Sequence, residues 1–247
     1  ESYFLLERYG AVPERCDRFL RSHPESVFAG EVMLRKGQAF FAMDDLEPAQ
    51  KVFSSILSGS PDPDVAGPAS FYLAASGYRQ GRAQDAEKDL RKFISGYPES
   101  KYAPFALMYL ADIYGKDGRH TMEAEAYLAA SGKFDEALPA IRAKTAAAGA
   151  YYSDGDVLKA ANVYRSILKE VDVPSGVYDT AAMGMLSCLV RQEDVDGVIS
   201  FTRDVYDKMS DPGKKADMLY TAAASCMRQD RHEAAERFLR MNLQNHP

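Results

Sequence analysis

Prolines recur along this chain at a fixed step. Pro24, Pro61 and Pro98 stand 37 residues apart, and four more steps of that length end next to Pro247. Other features keep the same period. A small residue opens most second segments: Ala49, Ala86 and Ala160 fit the step, with Glu123 and Gly197 at the intermediate places and Ala235 one residue late. A turn position reads Asp44, Gly81, Gly118, Gly155, Gln192 and Asp230. An aromatic pair precedes it at Phe40-Phe41 and Tyr151-Tyr152, with weaker versions at Gly77-Tyr78, Tyr114-Gly115, Cys188-Leu189 and Cys226-Met227. Several independent features sharing one period mark a repeat architecture of about seven units of 37 residues.

Within one unit, Val32, Leu34, Ala39, Phe40 and Met43 form an apolar helical stripe, which Asp44-Asp45 breaks. Leu46, Ala49, Val52, Phe53, Ile56 and Leu57 then repeat the stripe. Gly59-Ser60-Pro61 stops it, because Pro cannot continue a helix and Gly tolerates the left-handed cap. The short turn makes the two helices antiparallel, and Ala49 is small because they cross closely there. One hairpin cannot bury both faces, so hairpins stack. The expected helices are 12–22, 26–43, 46–58, 65–80, 83–96, 101–117, 120–131, 136–153, 157–170, 175–191, 194–208, 213–229 and 232–245, with 2–9 as the back half of an earlier one. Pro139 is expected in the first turn of its helix, where its missing N–H costs nothing. No segment alternates with period two, so no sheet is expected.

Composition narrows function. The net charge of -6 argues against nucleic acid, since phosphate binding wants a basic surface, and against docking on anionic lipid. No run of about 18 apolar residues exists, so no direct membrane insertion is expected of this segment. Cys16, Cys188 and Cys226 lack metal-like spacing and read as reduced packing residues. The chain starts without Met or a signal-peptide pattern and reads as a fragment of a longer protein, with any localisation signal removed.

The string Gly37-Gln38-Ala39-Phe40-Phe41, Leu46, Ala49, Phe53 and Pro61, and again Tyr151-Tyr152, Gly155, Ala160 and Tyr164, resembles the tetratricopeptide repeat family. The family unit is about 34 residues, so the longer step is a departure. The resemblance implies an all-α, right-handed superhelical solenoid of antiparallel helical hairpins, a single domain over 1–247. It also implies a concave groove lined by the first helix of each hairpin. Carried across residue by residue, the groove positions are Leu34, Gln38 and Phe41; Phe71, Ala75, Tyr78 and Arg79; Met108, Asp112 and Lys116; Thr145, Gly149 and Tyr152; Ala182, Leu186 and Leu189; and Tyr220, Ala224, Met227 and Arg228. Phe41, Tyr78 and Tyr152 have a plainer use, packing between adjacent hairpins.

A narrower form, His/Tyr-Pro-Glu-Ser-x-aromatic-Ala, occurs at His23–Ala29 and Tyr97–Ala103. It is similar to repeats of bacterial periplasmic and outer-membrane-lipoprotein members of the family. That resemblance implies an envelope location, with cytoplasmic as the alternative. Ser26 and Ser100 also have a structural use as caps of the next helix, and Asn245-His246-Pro247 reads as the same form cut after its Pro.

Chemistry finds little footing. His23, His120, His232 and His246 form no metal spacing, and no phosphate-loop, dinucleotide or nucleophile-elbow motif occurs. Asp44-Asp45 and Glu193-Asp194 fall in hairpin turns, where carboxylates favour the next helix's N-terminus. No catalytic residue, metal or cofactor is therefore expected. The family's carboxylate clamp needs Asn where this chain has Gln38, Ala75, Asp112, Gly149, Leu186 and Ala224, so a chaperone-tail adaptor is not expected. The expected role is a non-enzymatic scaffold for a protein or peptide partner. The alternatives are a homotypic assembly module, or the repeat part of a larger enzyme or carbohydrate-binding protein.

Overall fold

A computed structural model describes residues 9–59 and 61–245. Among these are thirteen α-helices and two short 3-10 turns, Tyr9–Ala11 and Tyr206–Lys208, with no strand. The expected helix at 2–9 and the severed motif at 245–247 lie largely outside the described residues. Chain contacts gather into two compact units, residues 1–113 and 114–247.

The first unit begins with α1 (Val12–Ser22), followed by the hairpins α2 (Ala29–Ala42)/α3 (Leu46–Ser58) and α4 (Pro63–Arg79)/α5 (Ala83–Gly96), then α6 (Ala103–Lys116). Ala49, Phe53, Ile56, Val65 and Ala69 form one core cluster, which ties α3 to α4. α4 starts earlier than expected, because Asp62 accepts a hydrogen bond from the Asp64 N–H and Pro63 suits the first helical position. Ser26 and Ser100 accept from the N–H groups of Phe28 and Tyr102. Each caps a single turn, and the α-helix proper starts at Ala29 or Ala103.

The second unit carries α7 (His120–Ser131), the hairpins α8 (Ala137–Asp154)/α9 (Val157–Leu168) and α10 (Ser175–Arg191)/α11 (Val195–Val205), and α12 (Pro212–Arg228)/α13 (His232–Asn245). One core cluster runs from Ala124 through Ile141, Tyr164, Leu186 and Val198 to Met218 and Ala222. Pro139 sits in the first turn of α8, as expected.

Six hairpin turns share one construction. Asp44, Gly81, Gly118, Gly155, Glu193 and Asp230 are left-handed, with φ from 56° to 89°. In five of them the next N–H bonds back across the turn, for example Asp45 to the Phe40 carbonyl and Asp194 to the Leu189 carbonyl. That is a helix end closed by the Schellman pattern. The turn expected at Gln192 is therefore at Glu193. The extra residue enters between Gly155 and Glu193, where the loop at 169–174 adds its own left-handed residue, Asp172. The close-crossing position shifts with it, from the expected Gly197 to the fully buried Val198. Ala49, Ala86, Ala160 and Ala235 occupy that position buried, as expected. At Glu123 the roles reverse: the glycine lies opposite, and a Cβ on Gly115 would sit 2.8 Å from the Glu123 carboxyl.

Candidate functional site

In the first unit the first-helix positions divide into buried and open. Gln38 and Phe71 are only 7% and 5% exposed, so neither lines an accessible groove. Ala75 is buried too. Gln38 accepts from Arg35, while Phe71 packs among Tyr72, Phe93, Tyr102 and Tyr109. Leu34 is half-buried against the α3–α4 core. Phe41 and Tyr78 take the plainer use: Phe41 meets Tyr72 edge-on at 5.2 Å, and Tyr78 meets Tyr109 at 5.2 Å. Arg79 is exposed but engaged, donating to the Phe41 carbonyl at 2.9 Å and to Asp44 at 2.6 Å. Asp112 is half-buried, and Met108 is open, 38% exposed.

In the second unit Tyr152 is half-buried beneath Arg191, whose guanidinium lies 5.0 Å from the ring. Lys116 is exposed. Ala182, Leu186 and Leu189 are buried, which corrects the expectation that they face a partner. The register shift places Met183, Ser187 and Val190 at those positions instead, all half-buried. On α12 the register is restored: Tyr220 is 65% and Met227 55% exposed, with Arg228 exposed beside them. Arg228 has no hydrogen-bond or ion-pair partner among the described residues.

A cleft of about 700 Å³ opens between α8 and α10, with Arg142, Thr145, Gly149 and Thr180 in its lining. Tyr164 reaches it from the back helix α9. A Cβ on Gly184 would overlap the Tyr164 ring, and one on Gly149 would lie 3.8 Å from its hydroxyl. The two glycines thus leave a slot that the tyrosine threads. Its residue exposure is 7%, and burial pushes its pKa up to about 12. The sequence pattern marks Tyr164 only as a repeat aromatic. Its polar tip gains meaning only from the glycines at its sides.

A second cavity, about 790 Å³, lies between α11 and α13. Thr202 in its wall is fully buried, and its hydroxyl has no hydrogen-bond partner among the described residues. Counted from the hairpin turn, Thr202 stands where the other hairpins carry Phe53, Leu90, Tyr127, Tyr164 and Leu239. The small residue leaves the space.

All three cysteines are buried, and burial pushes their thiols up, Cys188 to about 11, which makes them poor nucleophiles. Among the described residues no group of three or more His, Cys, Asp or Glu could hold a metal ion, and no helix is long and apolar enough to cross a membrane.

Residues 31–62 and 69–100 match the family model described as tetratricopeptide repeat. These spans start two and six residues inside the α2/α3 and α4/α5 hairpins and run four residues beyond each. No curated protein sequence matches the chain. Among solved structures the chain is similar to a tetratricopeptide repeat protein from Parabacteroides merdae, with 11% identity, a TM-score of 0.55, and coverage of 100% of this chain and 90% of that one. It is also similar to a Naa15/Naa10 assembly bound to HypK-THB, with 16% identity and a TM-score of 0.61; all of this chain aligns, over only 35% of that chain's length. The apo quorum sensor NprR from B. thuringiensis aligns at 15% identity and a TM-score of 0.52, covering 99% of this chain and 77% of that one. At these identities the likeness establishes the fold.

Proposed function

We infer that this tetratricopeptide repeat chain is a non-catalytic scaffold that holds a protein or peptide partner on the first-helix faces of its hairpins. The carrying observation is the open face of α12. Tyr220, Met227 and Arg228, at spacings that share one helix face, present an aromatic ring, a flexible thioether and an exposed guanidinium. Tyr and Arg are among the residues that most often carry interface energy. They combine large contact area with polar tips, and Met adapts to irregular partners. The Naa15/Naa10 assembly with HypK-THB shows a similar fold that engages other proteins.

The test compares proteins captured by the wild-type chain with those captured by a Tyr220→Ala, Met227→Ala double variant. Both side chains are exposed, so the fold survives their truncation. Partners lost in the variant support the face; an unchanged partner set overturns it. For location we propose the bacterial cell envelope, on the His/Tyr-Pro-Glu-Ser-x-aromatic-Ala form at His23 and Tyr97. Fractionation of cells should place the protein with the envelope, and a wholly cytosolic distribution would refute that.

A further inference from the structure

We propose that the cleft between α8 and α10 binds an acidic stretch of extended peptide, with a carboxylate at Arg142 and a main-chain carbonyl at the Tyr164 hydroxyl. The proposal rests on the first-helix reading above and gives it a chemical class of partner.

Three observations carry it. The first is the unused hydroxyl. Tyr164 is more than nine-tenths buried, yet its hydroxyl bonds to no other group among the described residues and lies in the cleft lining. Gly149 and Gly184 open the slot that brings it there. In the α2/α3 hairpin the residue at the same step from the turn is Phe53, packed against Gly37 of its own hairpin, so packing at this position asks for a ring and no oxygen. Burial holds the phenol protonated far above neutral pH, so it is available as a donor. The ring is buried but the hydroxyl opens onto the cleft, so a ligand acceptor can bond there in place of water.

The second is charge. Among the described residues Arg142 is the only charged one in the lining and no carboxylate lines the cleft, although the chain carries a net charge of -6. Arg142 is exposed and has no ion-pair or hydrogen-bond partner among the described residues. Lys214 is not in the lining; it donates to Thr180 Oγ1 at 2.9 Å. The third is what the other hydroxyls do. Thr145 and Thr180 spend their hydrogens on the Ile141 and Gly176 carbonyls. The side-chain donors left for a ligand among the residues of the lining are therefore the guanidinium and the phenol, and both call for acceptors. Ala146 and Val177 between them supply apolar wall. An extended peptide offers carbonyls along its length and side chains at alternate positions.

The experiment measures retention of two acetylated heptapeptide pools on the immobilised chain. The pools are randomised except at the centre, which is Glu in one and Gln in the other. The wild-type protein should retain the Glu pool about tenfold better, the scale of one charge-assisted hydrogen bond. Arg142→Gln should bring the two pools level. Tyr164→Phe should lower retention of both by about tenfold while keeping the preference and leaving the thermal midpoint no lower, since the hydroxyl supports nothing in the fold. Equal retention by the wild type overturns the proposal. So does a preference that survives Arg142→Gln, or a Tyr164→Phe variant that binds like the wild type. If retention ignores both changes but is lost in Tyr220→Ala, only this site falls and the first-helix reading stands. If neither pool is retained, the site and the peptide form of that reading fall together.

Discussion

The Arg79 guanidinium lies 4.5 Å from the centre of the Phe41 ring and donates to the same residue's carbonyl at 2.9 Å. Arg191 repeats the arrangement on Tyr152, at 5.0 Å from the ring and 2.8 Å from the carbonyl. In both cases the last turn of one first helix caps the end of the preceding first helix. The bond satisfies a carbonyl that a helix end leaves open, and the cation covers the ring. Arg191→Ala should destabilise the second unit by about 1–2 kcal/mol, combining a cation–π contact of about 0.5–1 with a bond of about 1. Arg191→Lys should recover less than half of that, because an ammonium cannot cover the ring and bond the carbonyl as a planar fork does. Denaturant melts of the three proteins check it; full rescue by Lys would contradict the fork geometry.

Glu193 is held at φ 57° in a turn where three other hairpins place glycine. A side chain there costs about 1 kcal/mol, since Cβ crowds the carbonyl in the left-handed region. The contact that depends on the residue uses its backbone: Gln229 donates to the Glu193 carbonyl at 3.0 Å. Glu193→Gly should therefore stabilise the chain by up to about 1 kcal/mol and raise the midpoint by about 2–4 °C. Gly155→Ala, at φ 89°, should do the reverse by about 1–2 kcal/mol. Paired thermal melts give both signs.

Asp179 is fully buried with no ion pair among the described residues, and it accepts from the Ser210 N–H and hydroxyl and from the Asp211 N–H at 2.8–3.2 Å. It pins the loop that starts α12, whose first turn Asp211 caps. Asp179→Ala leaves those donors unpaired and should cost about 2–4 kcal/mol. Asp179→Asn keeps an acceptor oxygen and should cost less. Hydrogen exchange should show early opening of the N–H groups at Ser210 and Asp211 in the Ala variant and intermediate behaviour in the Asn one.

The hairpins were legible because Gly, Pro and the apolar stripe act locally: the helices at 46–58, 83–96, 120–131, 175–191 and 232–245 coincide with those read from the chain. The slip at Gln192 was not, because one residue added in the loop at 169–174 leaves no glycine to mark the new turn. That single step turned Ala182, Leu186 and Leu189, which are core, into apparent groove residues. Gln38 and Phe71 misled for another reason. First helices are flanked by neighbours on two sides, so their apolar surface exceeds one stripe and burial cannot be read from period alone. Asp179 was invisible because its partners lie 31 and 32 residues away in a loop.

Alkali should loosen the chain. The Tyr164 hydroxyl ordinarily titrates near 10 and is pushed up to about 12 in the fold, and the Cys188 thiol is pushed from 9.0 to about 11, both by burial. The unfolded chain then loses these protons first. Their stabilisation is complete below about pH 9 for Cys188 and 10 for Tyr164, and it drains away as pH rises through the folded values. Stability should fall between about pH 9 and 12, and Tyr164→Phe should flatten the upper part of that fall. Chemical melts at stepped pH measure it. An unaltered slope in the Phe variant would show that Tyr164 contributes nothing to it.

Thr202 offers the opposite test, a gain. Its side chain is fully buried with an unpartnered hydroxyl, at a position where neighbouring hairpins carry large apolar or aromatic residues. Thr202→Val replaces the hydroxyl with a methyl of nearly the same volume and removes a buried polar atom that costs about 1–3 kcal/mol when left unpaired. The variant should be more stable by about 1 kcal/mol. Thr202→Leu would go further by filling part of the cavity between α11 and α13, where each buried methylene adds about 0.8 kcal/mol. If Val is destabilising, the hydroxyl has a partner in solution. If Leu alone is destabilising, the cavity walls near Leu219 and Phe238 do not accept the added volume.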